Sequence, residues 1–301
     1  MKTLLFIYNP TAGKAKITGA LGDITAQFQQ EGWLVTLYAT RAAGDATRVV
    51  QELGGQYDRI VCSGGDGTLN EVVSGLIHGG LDVPLGYLPA GSTNDFSKTL
   101  RLPANLHKSA EIAVTGTPFA CDMGQFNGEH VFVYVAAFGI FTSVSYETPQ
   151  EMKQILGHAA YVLRGIRSLG EVTSYSMTIE HDGIIEEGNY IYGMVSNSVS
   201  VGGFQGMKTN EVILDDGKFE VLLVRTPTTL AELNGVLAAL ISKAPNKNVL
   251  SFQTHQVTFH CNEPVAWTLD GEYGGEHTDT TVEILPQAVR MIRGEEGGKP
   301  S

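Results

Sequence analysis

The stretch CSGGDGTLNEVVSGL (62–76) places a cluster of glycines and one aspartate between an apolar segment and a segment of helical periodicity. DRIVCS (58–63) predicts a strand, and apolar residues recur at helical spacing after the loop. A turn needs one or two glycines, whereas this loop has Gly64, Gly65 and Gly67 around Asp66. These glycines predict that the loop backbone approaches a ligand closely.

The same alternation of strand and helix fills the N-terminal part of the chain. The other predicted strands are KTLLFIY (2–8), WLVTLYAT (33–40) and PLGYLP (84–89), with a helix at GDATRVVQEL (44–53). This β-α-β-α-β-α-β order predicts a parallel sheet with right-handed crossovers.

After Pro118 the pattern changes to strands separated by turn residues, which indicates an antiparallel β domain. The predicted strands are 118–126, 129–140, 174–183, 184–198, 218–226, 249–261, 264–272 and 280–286. Two helices are predicted, at 149–169 and 228–243. The tail (288–301) ends in a charged, glycine-rich segment that we expect to fray.

Polar loops that contain glycine follow three of the parallel strands: NPTAG (9–13), SGGDGT (63–68) and LPAGSTNDFSK (88–98). They are expected at one edge of the sheet, where open α/β sheets bind ligands. The start of the helix near Thr68 suits a phosphate. Asp66 would repel a phosphate unless a metal ion or water mediates, and we expect Asp95 to face the same site.

Known phosphate-loop patterns do not match. G-x-x-x-x-G-K-[ST] is absent, and G-x-G-x-x-G, read from Gly65, has Asn70 at its last position. A glycine-rich connection that binds no ligand is the alternative for the loop taken alone.

Five motifs, from Asn9 to Gly275, together resemble the bacterial diacylglycerol kinases and related lipid kinases, a family that includes eukaryotic diacylglycerol, sphingosine and ceramide kinases. They are NPTAG, GGDGTLNEV, GSTNDF, LDDGKFEV (214–221) and LDGEYGG (269–275). GGDGT alone is shared with the NAD kinases. The resemblance implies a Rossmann-like N-terminal domain with a parallel sheet, an antiparallel β-sandwich-like C-terminal domain, and ATP in the cleft.

The resemblance also implies the domain limits. The nucleotide-binding α/β domain is expected at 1–122, with 287–301 returning to it. The β-rich domain for lipid substrate and metal is expected at 123–286.

By resemblance, the nucleotide site is lined by Asn9, Pro10, Thr11, Ala12, Gly13, Thr40, Gly65, Asp66, Gly67, Thr68, Leu69, Asn70, Glu71, Ser92, Asn94 and Asp95. Ser92 replaces the threonine usual in the family and keeps its hydroxyl. Lys98 stands where many members have arginine, so a bidentate contact is expected to be lost.

LDDGKFEV contains Asp215 and Asp216 before a glycine, which also fits a plain hairpin turn. The resemblance implies a Mg²⁺ held by Asp216 and the carbonyls of Ile213 and Lys218. This ion is expected to be linked through water to Asp66, Asp95 and Asp122, and a second Mg²⁺ would accompany ATP.

LDGEYGG contains the expected catalytic base, Asp270, with Glu272 as the second choice, because transfer to an alcohol needs a proton acceptor. A hairpin Asp-Gly turn is the alternative. The implied reaction is transfer of the γ-phosphoryl group of ATP to a lipid, with diacylglycerol giving phosphatidic acid in phospholipid biosynthesis. An NAD kinase, or a silent regulator that binds lipid or nucleotide, stays open.

The formal net charge of −12 argues against nucleic-acid binding. No signal peptide or spanning segment is found, so we expect a cytoplasmic protein with structural cysteines. The predicted helix within 150–170 places Lys153, Arg164 and Arg167 on one face. That face is either solvated or makes transient peripheral contact with anionic lipid at the inner membrane face. A homodimer stays open.

Overall fold

The computed structural model describes residues 1–140, 173–198, 213–242 and 244–294. Its α-helices are α1 Lys16–Gln30, α2 Asp45–Leu53, α3 Asp66–His78, α4 Asp95–Thr99, α5 Leu106–Thr115 and α6 Leu230–Ser242. Its strands are β1 Lys2–Tyr8, β2 Trp33–Ala39, β3 Arg59–Gly64, β4 Leu85–Pro89, β5 Thr117–Phe126, β6 His130–Phe132, β7 Val135–Gly139, β8 Tyr175–His181, β9 Ile184–Ser196, β10 Phe219–Arg225, β11 Val249–Thr254, β12 Gln256–Leu269 and β13 Glu272–Arg293. Short 3₁₀ helices cover Ala12–Ala15 and Gly54–Gln56.

The chain divides into two compact units. The first comprises Met1–Asp122 and Pro286–Ser301, and the second comprises Met123–Leu285. The coarse prediction of a mixed α/β fold followed by a β-rich C-terminal domain is confirmed.

The first unit is built on strands paired in parallel in the order β2-β1-β3-β4. β1 lies between two neighbours, and Leu4, Leu5, Phe6 and Ile7 are fully buried, as expected for a continuous apolar strand. Ile24 and Phe28 of α1 pack with Leu4 and Phe6 in one core cluster. The end of β13 joins this unit, where Met291 pairs in parallel with Leu85.

Helix α5 was not predicted from the sequence. Its buried side chains are mostly small, so its apolar stripe is weak: they include Ser109, Ala110 and Ala113. The side chain of Asn105 caps its start by accepting from the Lys108 amide. The small residues let the helix lie directly on Gly86 of β4, next to Ala113.

All strand pairs of the second unit are antiparallel among the described residues. An aromatic cluster forms much of its core: Phe126, Phe132, Phe138, Tyr190, Phe219, Phe259 and Trp267. Trp267 makes ring contacts with three of these side chains, at centroid distances of 4.9 to 5.3 Å.

Two segments that the sequence predicts as single strands each form two strands in the structure. Segment 129–140 forms two strands, β6 and β7, because the amides of Val133 and Tyr134 donate to a carboxylate instead of a strand. Segment 249–261 is also two strands, since the Thr254 hydroxyl bonds locally to Gln256 and makes a turn. The predicted strands 264–272 and 280–286 belong largely to the longer β12 and β13.

Residues 288–293 of the tail are part of β13, and residues 295–301, which contain most of the charged, glycine-rich end that we expect to fray, lie outside the described residues. The predicted helix at 149–169, with its basic face, also lies outside them. Among the described residues, no helix combines the length and apolar character needed to cross a membrane.

A pair of glycine substitutions tests the packing of the first unit. A β-carbon at Gly86 would lie 2.7 Å from Cβ of Ala113, so we expect Gly86→Ala to lower the free energy of unfolding by about 1–3 kcal/mol. Gly22 in α1 has open space, and Gly22→Ala should raise that free energy by about 0.5–1 kcal/mol. Urea denaturation measures both, and equal effects would contradict the packing described.

Candidate active site

The loops after β3 and β4 are tied together through backbone atoms. The carbonyl oxygen of Gly64 accepts hydrogen bonds from the amides of Ala90 (2.8 Å) and Gly91 (3.0 Å). A β-carbon at Gly91 would lie 2.5 Å from Cα of Gly65, and one at Gly13 would collide with the Ala90 carbonyl. Glycine is therefore required at the points where the three loops meet.

Asn94 closes the loop that begins after β4. Its Oδ1 accepts from the Gly91 amide (2.9 Å) and the Tyr87 hydroxyl (3.3 Å), and its Nδ2 donates to the Gly91 carbonyl (2.9 Å). Its backbone has a φ of +48°, a left-handed conformation that asparagine tolerates better than most residues. The side chain of Asn94 therefore shapes the loop from within.

Asp66 and Asp95 are brought together at the ends of β3 and β4. Both are buried, and the Asp95 amide donates to Oδ2 of Asp66 at 3.2 Å. Lys98 donates to Oδ1 of Asp95 at 2.7 Å, so one cation offsets part of the buried negative charge. Burial, with the charges of Asp66 and Asp95 adding to it, raises the pKa of Tyr87 well above its usual value.

The predicted residues after β1 and β2 lie at the same ends of the parallel strands. The Asn9 amide donates to the Ser63 carbonyl (2.9 Å), and the Asn9 side chain accepts from the Thr11 amide and hydroxyl. The Thr40 amide donates to the Tyr8 carbonyl at 2.9 Å. These bonds join the ends of β1, β2 and β3 into one polar rim.

The predicted site residues in the first turns of α3 differ in their solvent exposure. Gly67 is exposed with open space around it, whereas the side chains of Thr68 and Leu69 are buried. The Glu71 carboxylate accepts from the Ala46 amide at 3.1 Å, at the start of α2. The side chains of Leu69 and Glu71 are thus used for packing and capping.

The remaining predicted positions are partly open. Pro10 and Ala12 are intermediate in exposure, and Ser92 is exposed. Oδ1 of Asn70 accepts from the Ser74 hydroxyl at 3.4 Å along α3.

In the second unit, Asp270 binds three successive backbone amides. Its Oδ2 accepts from Val133 (2.7 Å), and its Oδ1 accepts from Tyr134 (2.9 Å) and Val135 (3.1 Å). The Asp270 amide in turn donates to the Val135 carbonyl (2.8 Å). The carboxylate is therefore a buried anchor for the segment between β6 and β7, far away in the sequence.

Asp270 is also a turn residue. Asp270 (φ +51°) and Gly271 (φ +87°) form the two-residue connection between Leu269 and Glu272, which are paired across β12 and β13. Positive φ at both positions is the pattern of a type I′ hairpin. The turn that the sequence offered as an alternative is thus present, and it leaves Glu272 exposed.

The predicted metal loop in the second unit is exposed. Oδ1 of Asp216 accepts from the Lys218 amide at 3.1 Å, around Gly217 with a φ of +71°. Asp215, Asp216 and Ile213 are exposed. One carboxylate with neighbouring carbonyl oxygens is an oxygen-only donor set, which suits a hard cation that keeps several waters.

No group of three or more His, Cys, Asp or Glu side chains able to hold a metal occurs in the described ranges. Asp122, expected to lie in a water network, is buried and accepts from the Gln287 amide at 2.6 Å, so it fastens the returning segment.

Glu220 is a buried carboxyl group that sequence reasoning missed. It lies on β10, close to Asp216, and accepts from the Gln253 side chain at 3.1 Å. Burial raises the pKa of Glu220 to about 7. The only signal in the sequence was its place two residues after Lys218, inside a predicted strand.

Two family models match the chain: the diacylglycerol kinase catalytic domain over residues 3–126, and the YegS C-terminal NAD kinase beta sandwich-like domain over residues 135–293. Diacylglycerol kinases of Bacillus subtilis (strain 168) and Staphylococcus carnosus (strain TM300) are each 33% identical to this chain. They align over 278 and 281 residues, or 91% of this chain in both cases, and over 91% and 90% of their own lengths.

Solved structures share the fold. A diacylglycerol kinase from Bacillus anthracis aligns with a TM-score of 0.75 at 23% identity, covering 97% of each chain. A further solved chain from that organism reaches a TM-score of 0.84 at 24% identity, covering 97% of this chain and 95% of its own.

The contacts of Asn94 predict a graded effect of two substitutions. Asn94→Ala removes both bonds to Gly91 and should lower the free energy of unfolding by about 1–3 kcal/mol. Tyr87→Phe removes a hydroxyl whose one hydrogen is shared between Oδ1 of Asn94 and the Gly64 carbonyl, both at 3.3 Å, and should cost about 1 kcal/mol or less. Urea denaturation and hydrogen exchange at the Gly91 amide check this order, which a larger loss in Tyr87→Phe would refute.

Proposed function

The chain belongs to the diacylglycerol kinase family, and we infer that it is a lipid kinase, a phosphotransferase whose acceptor is an alcohol group. Both curated relatives described above are named for this activity, and they align over nine-tenths of the chain. We propose ATP as the donor and diacylglycerol as the acceptor, giving phosphatidic acid in phospholipid biosynthesis.

One observation supports this reading most directly: the glycine loop meets a buried pair of carboxylates at the start of α3. The helix start offers free amides and the positive end of its dipole to a phosphate, next to the exposed Gly67. Asp66 and Asp95 would repel a phosphate by themselves, so the arrangement makes sense with a cation between the charges.

Within the first unit, the roles of the predicted residues separate into two kinds. The backbone around Gly13, Gly65 and Gly67 is expected to approach the nucleotide, as are the polar side chains of Asn9, Thr11, Thr40, Ser92 and Asn94. Leu69 and Glu71 support the loop from behind, because their side chains are engaged in packing and capping. Pro10, Ala12, Thr68 and Asn70 complete the proposed lining.

Asp270 remains the proposed base and Glu272 the second choice. An alcohol that attacks a phosphoryl group loses its proton late, so a positioned carboxylate within hydrogen-bond reach is sufficient. The three amides that bind Asp270 fix its orientation. Glu272 is exposed and has no such constraint on its orientation.

Mg²⁺ is part of the proposal. Asp216 and the carbonyls of Ile213 and Lys218 would hold one ion in the loop before β10, and Mg²⁺ bound with ATP would neutralise the charge of the phosphates. The role of Asp216 can be tested separately from catalysis by measuring the melting temperature with and without a chelator. If the loop holds a structural ion, the chelator removes the ion and lowers the melting temperature.

We further propose a Rossmann-like class for the first unit, supported by its parallel strands, and a sandwich-like class for the second. A cytoplasmic protein with transient peripheral contact at the membrane fits a lipid acceptor. The basic segment at 150–170 that would make this contact lies outside the described residues.

The second candidate is an NAD kinase, favoured by the description of the model that matches 135–293. Incubation with labelled ATP and Mg²⁺ against diacylglycerol in mixed micelles, sphingosine, or NAD separates the candidates. We expect label in phosphatidic acid. Label in NADP alone would overturn the assignment as a lipid kinase. A parallel incubation with a total lipid extract that yields no phosphorylated lipid would also overturn it.

Substitution of Asp270 tests the proposed base. Asp270→Asn should lower turnover by at least about 100-fold with little change in ATP affinity, because a general base contributes roughly that much. It should also lower the melting temperature, since asparagine has one acceptor oxygen for the three amides.

Glu272→Gln is the matched control, because it neutralises the exposed carboxylate two residues away. Near-normal turnover in Asp270→Asn would disprove its role as the base. Loss of turnover only in Glu272→Gln would transfer the role to Glu272.

A further inference from the structure

Thr40, the proposed nucleotide contact at the end of β2, is fixed by hydrogen bonds on both sides along the chain. Its own amide donates to the Tyr8 carbonyl at 2.9 Å, and the amide of Arg41 donates to Oδ2 of Asp45 at 3.0 Å. Because a peptide group is planar, these two bonds orient both peptide groups that flank Thr40 and so set its two backbone dihedral angles. The position of the Thr40 side chain therefore depends on the carboxylate of Asp45.

Asp45, the first residue of α2, is itself held in place. It is buried, and its Oδ1 accepts from the Tyr38 hydroxyl (2.9 Å) and from Nη2 of Arg48 (2.7 Å). The Arg48 guanidinium beside Asp45 holds the pKa of that carboxyl well below its usual range, so Asp45 stays ionised. Both oxygens of the carboxylate are engaged, and its orientation is therefore fixed.

Helix α2 is fastened to α3 by contacts that do not use the Asp45 carboxylate. The Glu71 carboxylate accepts from the Ala46 amide at 3.1 Å. Gly75 of α3 lies so close to α2 that an added β-carbon would be 2.7 Å from Cβ of Val50. These contacts give α2 a fixed position against the helix at whose start we propose the phosphates, and Asp45 extends that frame to the end of β2.

The spacing of the strands indicates which part of a nucleotide would meet Thr40. β1 lies between β2 and β3 in the parallel sheet, so the ends of β2 and β3 are about 10 Å apart. The proposed phosphate site is at the end of β3, where α3 begins. A part of the nucleotide bound at the end of β2 is therefore the nucleoside.

We propose that Asp45 is a positioning residue: through the amide of Arg41 it sets the conformation of Thr40, and so the affinity for the nucleoside half of ATP. This inference rests on the proposed use of ATP. The phosphates would be bound by the glycine loop at the start of α3, so their binding should not respond to the Asp45 carboxylate.

The test compares the binding of ADP and of tripolyphosphate, each with Mg²⁺, to the full chain by calorimetry. Asp45→Asn leaves one acceptor oxygen for the Arg41 amide, Tyr38 and Arg48. We expect it to weaken ADP about tenfold and tripolyphosphate by less than about twofold. In turnover with diacylglycerol, KM for ATP should rise by a similar factor while kcat and KM for the lipid change little, a split that a general loss of stability would not produce.

Glu52→Gln is the matched control, because it makes the same carboxylate-to-amide change on α2 and also removes a bond to Arg48. The Glu52 side chain is 54% exposed, so the Kd for ADP should stay within about twofold of the wild type. Tyr38→Phe removes one bond to Asp45 and should weaken ADP about threefold, with tripolyphosphate unchanged. Thermal melting of each variant shows whether the chain is folded.

Two results would overturn the role of Asp45: equal effects of Asp45→Asn and Glu52→Gln on ADP binding, or equal losses of ADP and tripolyphosphate affinity in Asp45→Asn. If Asp45→Asn does not fold, an unchanged ADP affinity in Tyr38→Phe has the same consequence. A wild type that binds neither ligand would refute the proposed use of ATP, and this inference with it, so the two failures can be told apart.

Discussion

The carbonyl oxygen of Gly64 accepts two amide hydrogen bonds, from Ala90 and Gly91, and the geometry of the candidate site depends on this junction. It brings the end of β3 against the loop after β4, so that Gly65 and Gly91 approach each other closely. A side chain at Gly91 would separate the loops, because its Cβ would lie 2.5 Å from Cα of Gly65. The high glycine content of this part of the sequence is therefore a packing requirement as well as a means to approach a ligand.

The same junction forces two carboxylates into a buried position. The amide of Asp95 donates a hydrogen bond to the carboxylate of Asp66, which keeps the two residues together. Lys98 offsets the charge of Asp95 from the surface side. Burial of like charges is costly without compensation, and this cost is the physical reason for proposing a functional site here. Lysine gives a single bond here, where a guanidinium group could bind both carboxylate oxygens.

Asp270 shows how one residue combines a turn and an anchor. Its positive φ belongs to the hairpin between β12 and β13, while its carboxylate holds the amides of Val133, Tyr134 and Val135. The cost of ending β6 early is offset by three charge-assisted hydrogen bonds. As the proposed base, Asp270 would be oriented before a substrate arrives, and the same three contacts make its substitution costly for the fold.

The sequence by itself determined the order of strands and helices in the first unit, the β-rich character of the second, and the family, because local periodicity and short motifs depend on neighbouring residues. Only the tertiary structure decided that Glu71 caps α2, that Asp122 binds Gln287, and that 129–140 breaks where its amides meet Asp270. Each of these contacts joins residues at least 25 positions apart, and no local pattern encodes the partner of a polar side chain at such a distance. Helix α5 escaped prediction for a related reason: small side chains give a weak periodic signal, and their value lies in the close approach to Gly86 that they permit.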